Sequence, residues 1–105
     1  MKPIGTHNYF VYIVTNKYRK VIYTGVTNDL AVRLWQHREE TLNNKSKTFV
    51  GRYKCINLIY HEQFEYIQEA IDREKEIKGW TRKKKETLIE STNPTWRFLN
   101  DEIEE

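Results

Sequence analysis

The sequence predicts an α+β fold: a small three-stranded antiparallel sheet flanked by helices, in the order ββαβααα. Three observations predict it. Two runs rich in β-branched and aromatic residues follow each other closely near the start. A third apolar run alternates with period two in mid-chain. The remainder is a series of charged, amphipathic segments with helix caps and stops.

Residues 9–14 (YFVYIV) and 21–26 (VIYTGV) supply the first two strands. The five polar residues between Thr15 and Val21 (NKYRK) suit a hairpin loop, so these strands should pair antiparallel. Asn28 or Asp29 then offers an N-cap for LAVRLWQHR, with Leu30, Leu34 and Trp35 on the packed side of that helix. Residues 41–52 (TLNNKSKTFVGR) read as a polar, mobile loop. Residues 54–61 (KCINLIYH) supply the third strand, with Ile56, Leu58 and Tyr60 on one face. A second helix covers residues 65–78, and Thr81 caps a third through Glu90. Asn93-Pro94 stops it, and Pro94 suits the first turn of a short last helix. Trp96, Leu99 and Ile103 are spaced to pack that segment back on the body.

The 105 residues read as one domain, ending in a short helical segment and acidic tail over residues 94–105. An aromatic content of 13% excludes a disordered chain. No apolar run approaches the ~20 residues of a membrane span. Met1–His7 is too short and polar for a signal peptide. Cys55 is the single cysteine, which excludes an intramolecular disulfide and a multi-cysteine zinc site; mid-strand, it reads as inert core. The chain reads as cytoplasmic, with a monomer as the expected state.

Charge points toward a polyanion. Asp101, Glu102, Glu104 and Glu105 lie in the last five residues, so the first hundred carry eighteen basic against eleven acidic residues, a net of +7. The run Arg82-Lys83-Lys84-Lys85 opens a helix, where cations oppose the macrodipole, so helix propensity does not explain it. Such a run suits contact with a nucleic-acid backbone. Lys45, Lys47 and Lys78 are further candidate contacts, as are Gly25 and Asn28.

The second helix carries the clearest chemical signal. Ile67, Ala70, Ile71 and Ile77 form its apolar stripe, and Glu74 falls near the centre of that stripe. Glu65, Glu69, Asp72 and Glu76 lie on the opposite face, as solvated acids should. A carboxylate facing the body needs a cation, either a basic side chain or a metal. On the first helix Arg33 and His37 are four apart and share a face, where guanidinium and imidazole suit a phosphate oxygen and a proton transfer. Tyr12 lies mid-strand, and Val21, Tyr23 and Gly25 share a face of the second strand. Two phenols then lie side by side if Tyr12 and Tyr23 face the same way. Gly25 would end that strand and admit a ligand.

These residues, in this order, resemble the GIY-YIG endonuclease superfamily, particularly its small stand-alone bacterial members related to the N-terminal nuclease domain of the UvrC repair protein. Val11-Tyr12 matches the Ile-Tyr of the first motif, and Tyr23-Thr24-Gly25 matches Tyr-Ile-Gly. TGVTNDLAVRLWQH places Arg33 at the catalytic arginine and His37 at a position usually His or Tyr. AIDREKEIKGW places Glu74 at the metal-binding glutamate, and LIESTNPTW resembles the ending of the stand-alone members. Phe10 replaces the glycine that opens the first motif, and Thr24 replaces an aliphatic residue in the second. Neither change removes a reactive group.

The resemblance implies a DNA endonuclease using one divalent cation, Mg²⁺ or Mn²⁺, on Glu74. Branched or damaged DNA, in repair or recombination, is the substrate it suggests. Arg33 would stabilise phosphate charge, a tyrosine would take the proton of the attacking water, and His37 would relay a proton or bind phosphate. Tyr12 is preferred as base with Tyr23 orienting it, and the reverse assignment stays open. Two other readings compete: a nucleic-acid-binding module that kept the fold without catalysis, and a protein-interaction domain using exposed aromatics around Trp96 and Phe98. A protein partner supplying specificity fits a chain with no second DNA-binding domain.

Overall fold

The computed structural model describes residues 8–43 and 45–103. The Met1–His7 stretch and the last two acids of the tail, Glu104 and Glu105, lie outside them. Strands β1 (Tyr9–Thr15), β2 (Ile22–Thr27) and β3 (Asn57–Phe64) form one sheet in the order β2-β1-β3, with both neighbours antiparallel to β1. The hairpin joining β1 to β2 is organised by Asn16, whose Oδ1 accepts from the backbone N–H groups of Lys20 (2.8 Å) and Val21 (3.2 Å).

Val11 through Thr15 are all buried, so the central strand is covered on both faces. On one face lie α1 (Leu30–Thr41), α2 (Phe49–Tyr53) and the single-turn α5 (Asn100–Ile103); here Tyr12 and Val14 pack with Leu30, Leu34, Val50, Cys55, Leu58 and Leu99. On the other lie α3 (Ile67–Lys78) and α4 (Arg82–Thr92); here Val11 and Ile13 pack with Ile59, Tyr60, Ala70, Ile77 and Ile89. Burial pushes the Cys55 thiol up to about 11, as an inert core cysteine requires.

Several boundaries differ from the sequence expectation, each for a local reason. The stretch read as a mobile loop contains α2, capped by Thr48, whose Oγ1 accepts from Gly51 N–H at 3.1 Å. Lys54 ends that helix in the left-handed conformation (φ 57°), so β3 begins at Asn57 rather than at residue 54. A bulge opposite Ile13 and Val14 moves the pairing from Tyr60 to Leu58. Leu58 and Tyr60 therefore face opposite cores instead of sharing one. Asp29, not Asn28, caps α1, accepting from Val32 N–H at 3.1 Å. Trp35, expected on the packed side, is 55% exposed; His37 takes a buried place beside Leu30 and Leu34.

The C-terminal segment is not one helix from Pro94. It runs along β3 and satisfies its outer edge. Leu99 N–H donates to the Leu58 carbonyl at 2.7 Å, and the Asn100 side chain bridges Ile56 O and Leu58 N–H at 2.9 and 2.8 Å. Asn93 is buried and donates to Ile59 O and Arg97 O. Trp96 and Phe98 are packed against the α3–α4 core, with Trp96 Nε1 donating to Glu90. They do not form the exposed aromatic surface that the interaction-domain reading required.

One ion pair sets the position of α3. Arg73 grips Glu62 of β3 with two hydrogen bonds of 2.9 Å, while Tyr60 donates to the same carboxylate. Burial raises the Glu62 carboxyl, but the hydrogen bonds from Arg73 and Tyr60 outweigh it and hold its pKa below the ordinary value. Arg73 precedes Glu74, so this clamp fixes the turn of helix on which Glu74 sits.

Candidate active site

Register places both phenols on one face. Tyr12 pairs with Gly25 and Val14 with Tyr23, so Tyr12 and Tyr23 both point toward α1. Gly25 lies within β2, not at its end, and is buried. A Cβ there would stand 2.4 Å from the Tyr12 hydroxyl and 2.6 Å from Cζ. Its task is to let the Tyr12 ring cross the strand; it presents no surface for the expected nucleic-acid contact.

The Tyr12 hydroxyl reaches His37 Nε2 at 2.8 Å, and both residues are buried. Burial, then the neighbouring Tyr23, pushes the Tyr12 phenol well above its ordinary pKa, against the Arg33 charge. Burial lowers His37 in turn, with Glu40 opposing and Arg33 reinforcing the shift. His37 is therefore neutral in the folded protein at neutral pH. The unfolded chain takes up a proton below about pH 6.5 while the folded chain resists it, so stability falls with pH in that window. The urea midpoint should drop between pH 7.5 and 5.5 (about one unit either side of the free imidazole value), and His37→Gln should flatten that slope.

These groups open on a cleft of about 270 Å³, lined by Tyr12, Tyr23, Arg33, His37 and Glu74. Arg33 and His37 come from α1, the tyrosines from two strands, and Glu74 from the helix layer on the other face of the sheet. All the expected catalytic side chains thus meet at one edge. Arg33 Nε and His37 Nδ1 are buried with no hydrogen-bond partner among the described residues. A buried guanidinium N–H without an acceptor is costly, and an anionic ligand would relieve it. The Glu74 side chain is 17% exposed and lies 3.4 Å from Lys78 Nζ, which also stands 5.3 Å from the Tyr23 ring centre.

Other sequence candidates are placed less directly. Asn28 is exposed and does not line this cleft. Lys45 and Lys47 are exposed on the segment leading to α2. In the basic run, Arg82 is held by Glu86 (3.0 Å) and donates to Lys20 O (2.9 Å), and Lys84 lies 4.4 Å over the Trp80 ring. Lys83 is exposed and Lys85 is half-buried. Ile67, counted in the α3 stripe, is 51% exposed. Two residues went unread. Glu40 lines the cleft and accepts from Thr48 Oγ1 at 2.6 Å; its i+3 spacing from His37 was the available signal. Phe49 lines it too, but lay hidden as a lone aromatic in a polar stretch.

The donor set bears on which cation would suit the site. Among the described residues no group of three or more His, Cys, Asp and Glu side chains is placed to hold a metal. Glu74 offers a hard carboxylate at the cleft, the Glu40 carboxylate there accepts from Thr48, and His37 Nε2 is committed to Tyr12. That fits Mg²⁺ or Mn²⁺, which keep most of their water and take phosphate oxygens from substrate.

A three-stranded sheet in this order, with a paired phenol and imidazole at one edge and a lone glutamate from the far layer, is the architecture of the GIY-YIG nuclease superfamily. The chain belongs to that family: the GIY-YIG catalytic domain matches residues 8–87. It is 36% identical over 84 residues to a UPF0213 protein of Bacillus pumilus, covering 80% of this chain and 81% of the relative. It is likewise 36% identical over 85 residues to the UPF0213 protein YazA of Bacillus subtilis, covering 81% of each. The solution structure of the UPF0213 protein BH0048 from Bacillus halodurans superposes with a TM-score of 0.52 at 28% identity, covering 85% of this chain and 89% of that one. No helix among the described residues is long and apolar enough to cross a membrane.

Proposed function

We propose that this chain is a metal-dependent endonuclease that hydrolyses DNA phosphodiester bonds in the Tyr12–Glu74 cleft. One observation carries the reading: Arg33 Nε is buried without an acceptor among the described residues, in the same cleft as two phenols, an imidazole and the carboxylates of Glu40 and Glu74. A phosphate diester supplies the missing acceptor, and the surrounding groups supply proton transfer.

Arg33 binds the scissile phosphate and stabilises charge as it develops on the nonbridging oxygens. Tyr12 is a poor base alone, because burial favours its neutral form. Coupled to His37 it works as a relay: the phenol takes a proton from the attacking water as its own proton passes to His37 Nε2. Tyr23 orients the water from the same face. Glu74 would hold Mg²⁺ or Mn²⁺, which when bound supplies Lewis-acid polarisation of the phosphate and the leaving oxygen. Lys78 pairs with Glu74 in the free protein, and in this reading it meets substrate phosphate when that carboxylate is engaged. Lys45, Lys47, Lys83 and Lys85 add nonspecific backbone contact.

Arg33→Ala tests this assignment. Single-turnover cleavage of labelled DNA with Mg²⁺ or Mn²⁺ should fall by about 10²–10³, the usual loss when one transition-state donor is removed. Cleavage at the wild-type rate by Arg33→Ala would sink the assignment.

A further inference from the structure

The cleft does not end at Tyr23. The Tyr23 ring stacks on Phe49, with centres 5.8 Å apart and planes 29° from parallel, and Phe49 meets Tyr53 at 4.7 Å. Phe49 and Tyr53 are four apart on α2 and share its outer face, 44% and 46% exposed. Exposed aromatics in a row are unusual for a surface otherwise rich in charge. The helix that carries them is firmly placed: Thr48 caps it and donates to Glu40 of α1, and Ser46 closes over Gly51, where a Cβ would meet its Oγ at 2.2 Å. Beyond Tyr53 lies a second pocket of about 240 Å³, lined by Tyr18, Tyr53, Lys17 and Lys54, with no acidic side chain in its wall among the described residues. Arg52 stands 5.9 Å from the Tyr53 ring centre, and Lys17 lies 5.0 Å from that of Tyr18.

We propose that this track, from Tyr23 through Phe49 and Tyr53 to the Lys17–Lys54 pocket, binds an unpaired nucleic-acid strand by stacking on its bases. Aromatic faces flanked by cations match a strand whose bases are free and whose phosphates run alongside. A duplex hides its base faces inside the stack and gains nothing from Phe49 or Tyr53. The cationic, acid-free wall favours a polyanion over an apolar protein segment. The assignment of the strand's path into the cleft rests on the nuclease reading, but the stacking itself does not.

The test separates the two. Anisotropy of a fluorescein-labelled oligothymidine about 15 nucleotides long, and of its duplex, is measured in EDTA so that nothing is cleaved. Wild type should prefer the single strand. Tyr53→Ala should weaken single-strand binding by about five- to a hundredfold, the usual worth of one base stack, and leave duplex binding within about twofold. Tyr53→Trp should retain it, and far-UV circular dichroism checks that the variants are folded. Unchanged single-strand affinity in folded Tyr53→Ala, or an equal loss on the duplex, overturns the proposal. So does a wild type with no preference for the single strand, or a Tyr53→Ala variant altered only in self-association. Because no cleavage is read, a protein that hydrolyses nothing can still pass. A nuclease whose cleavage and binding ignore Tyr53→Ala fails this test while keeping its catalytic cleft.

Discussion

Glu74→Gln should abolish metal-dependent cleavage, by about a thousandfold or more, while leaving the fold intact. The side chain keeps its size and its half-buried place, so α3 still docks through Arg73 and Glu62. What disappears is the one carboxylate that reaches the cleft from the α3 layer. In the free protein that charge is opposed by Lys78 at 3.4 Å, and the pair is partly exposed, so its loss should move stability by no more than about 1 kcal/mol. The thermal midpoint should therefore shift by only a few degrees while the rate collapses. A variant that unfolds, or one that cleaves normally, would contradict this division of labour.

The largest effect on stability should come from a single methyl group at Gly25. Gly25→Ala puts a Cβ 2.4 Å from the Tyr12 hydroxyl and 2.6–2.9 Å from two atoms of its ring. That ring is buried against the α1 core and tied to His37, so it has little room to withdraw. Overpacking of this kind costs about 1–3 kcal/mol, and displacing the phenol would also strip His37 Nε2 of its partner. Cleavage should fall along with stability, although Gly25 itself touches no substrate in this account. Tyr12→Ala removes the obstruction, so Gly25→Ala should cost much less in that background. Urea titrations of the four proteins measure the coupling. Additive losses would show that the close approach of Gly25 and Tyr12 is not what the glycine protects.

Much of this geometry was legible in the chain. Two closely spaced strands announced the antiparallel hairpin, but whether Tyr12 and Tyr23 share a face depended on the register, which pairs Tyr12 with Gly25 and Val14 with Tyr23. The misplaced charge of Glu74 in an apolar stripe marked the side of α3 that meets the sheet. The spacing of Arg33 and His37 marked a shared face, and both line the cleft. What stayed hidden depends on contacts far apart in sequence. A five-residue helix has too few positions to display a period, so α2 passed for loop, and its aromatic face with it. The bulge at Ile59 is set by how β3 meets β1, and nothing in KCINLIYH announces it. Trp35 looked like core because it is large and apolar, yet the helix turns His37 inward to meet Tyr12. The spacing of Trp96, Leu99 and Ile103 pointed to packing on the body, against the interaction-domain reading that left Trp96 and Phe98 exposed; Arg19, reaching from the hairpin loop, donates to Trp96 O and lies 4.2 Å over Phe98. The role of Gly25 was visible only once the Tyr12 ring was seen to cross it.

Single-turnover reactions on labelled single-stranded, duplex, flapped and four-way-junction DNA, with Mg²⁺ or Mn²⁺, decide whether these side chains form one hydrolytic centre. Wild type should cleave at least one of these substrates, and Glu74→Gln should bind the same substrate without cutting it. DNA bound but left intact by the wild type with either metal, or cut equally by Glu74→Gln, would contradict the account and favour a binding module built on the same fold.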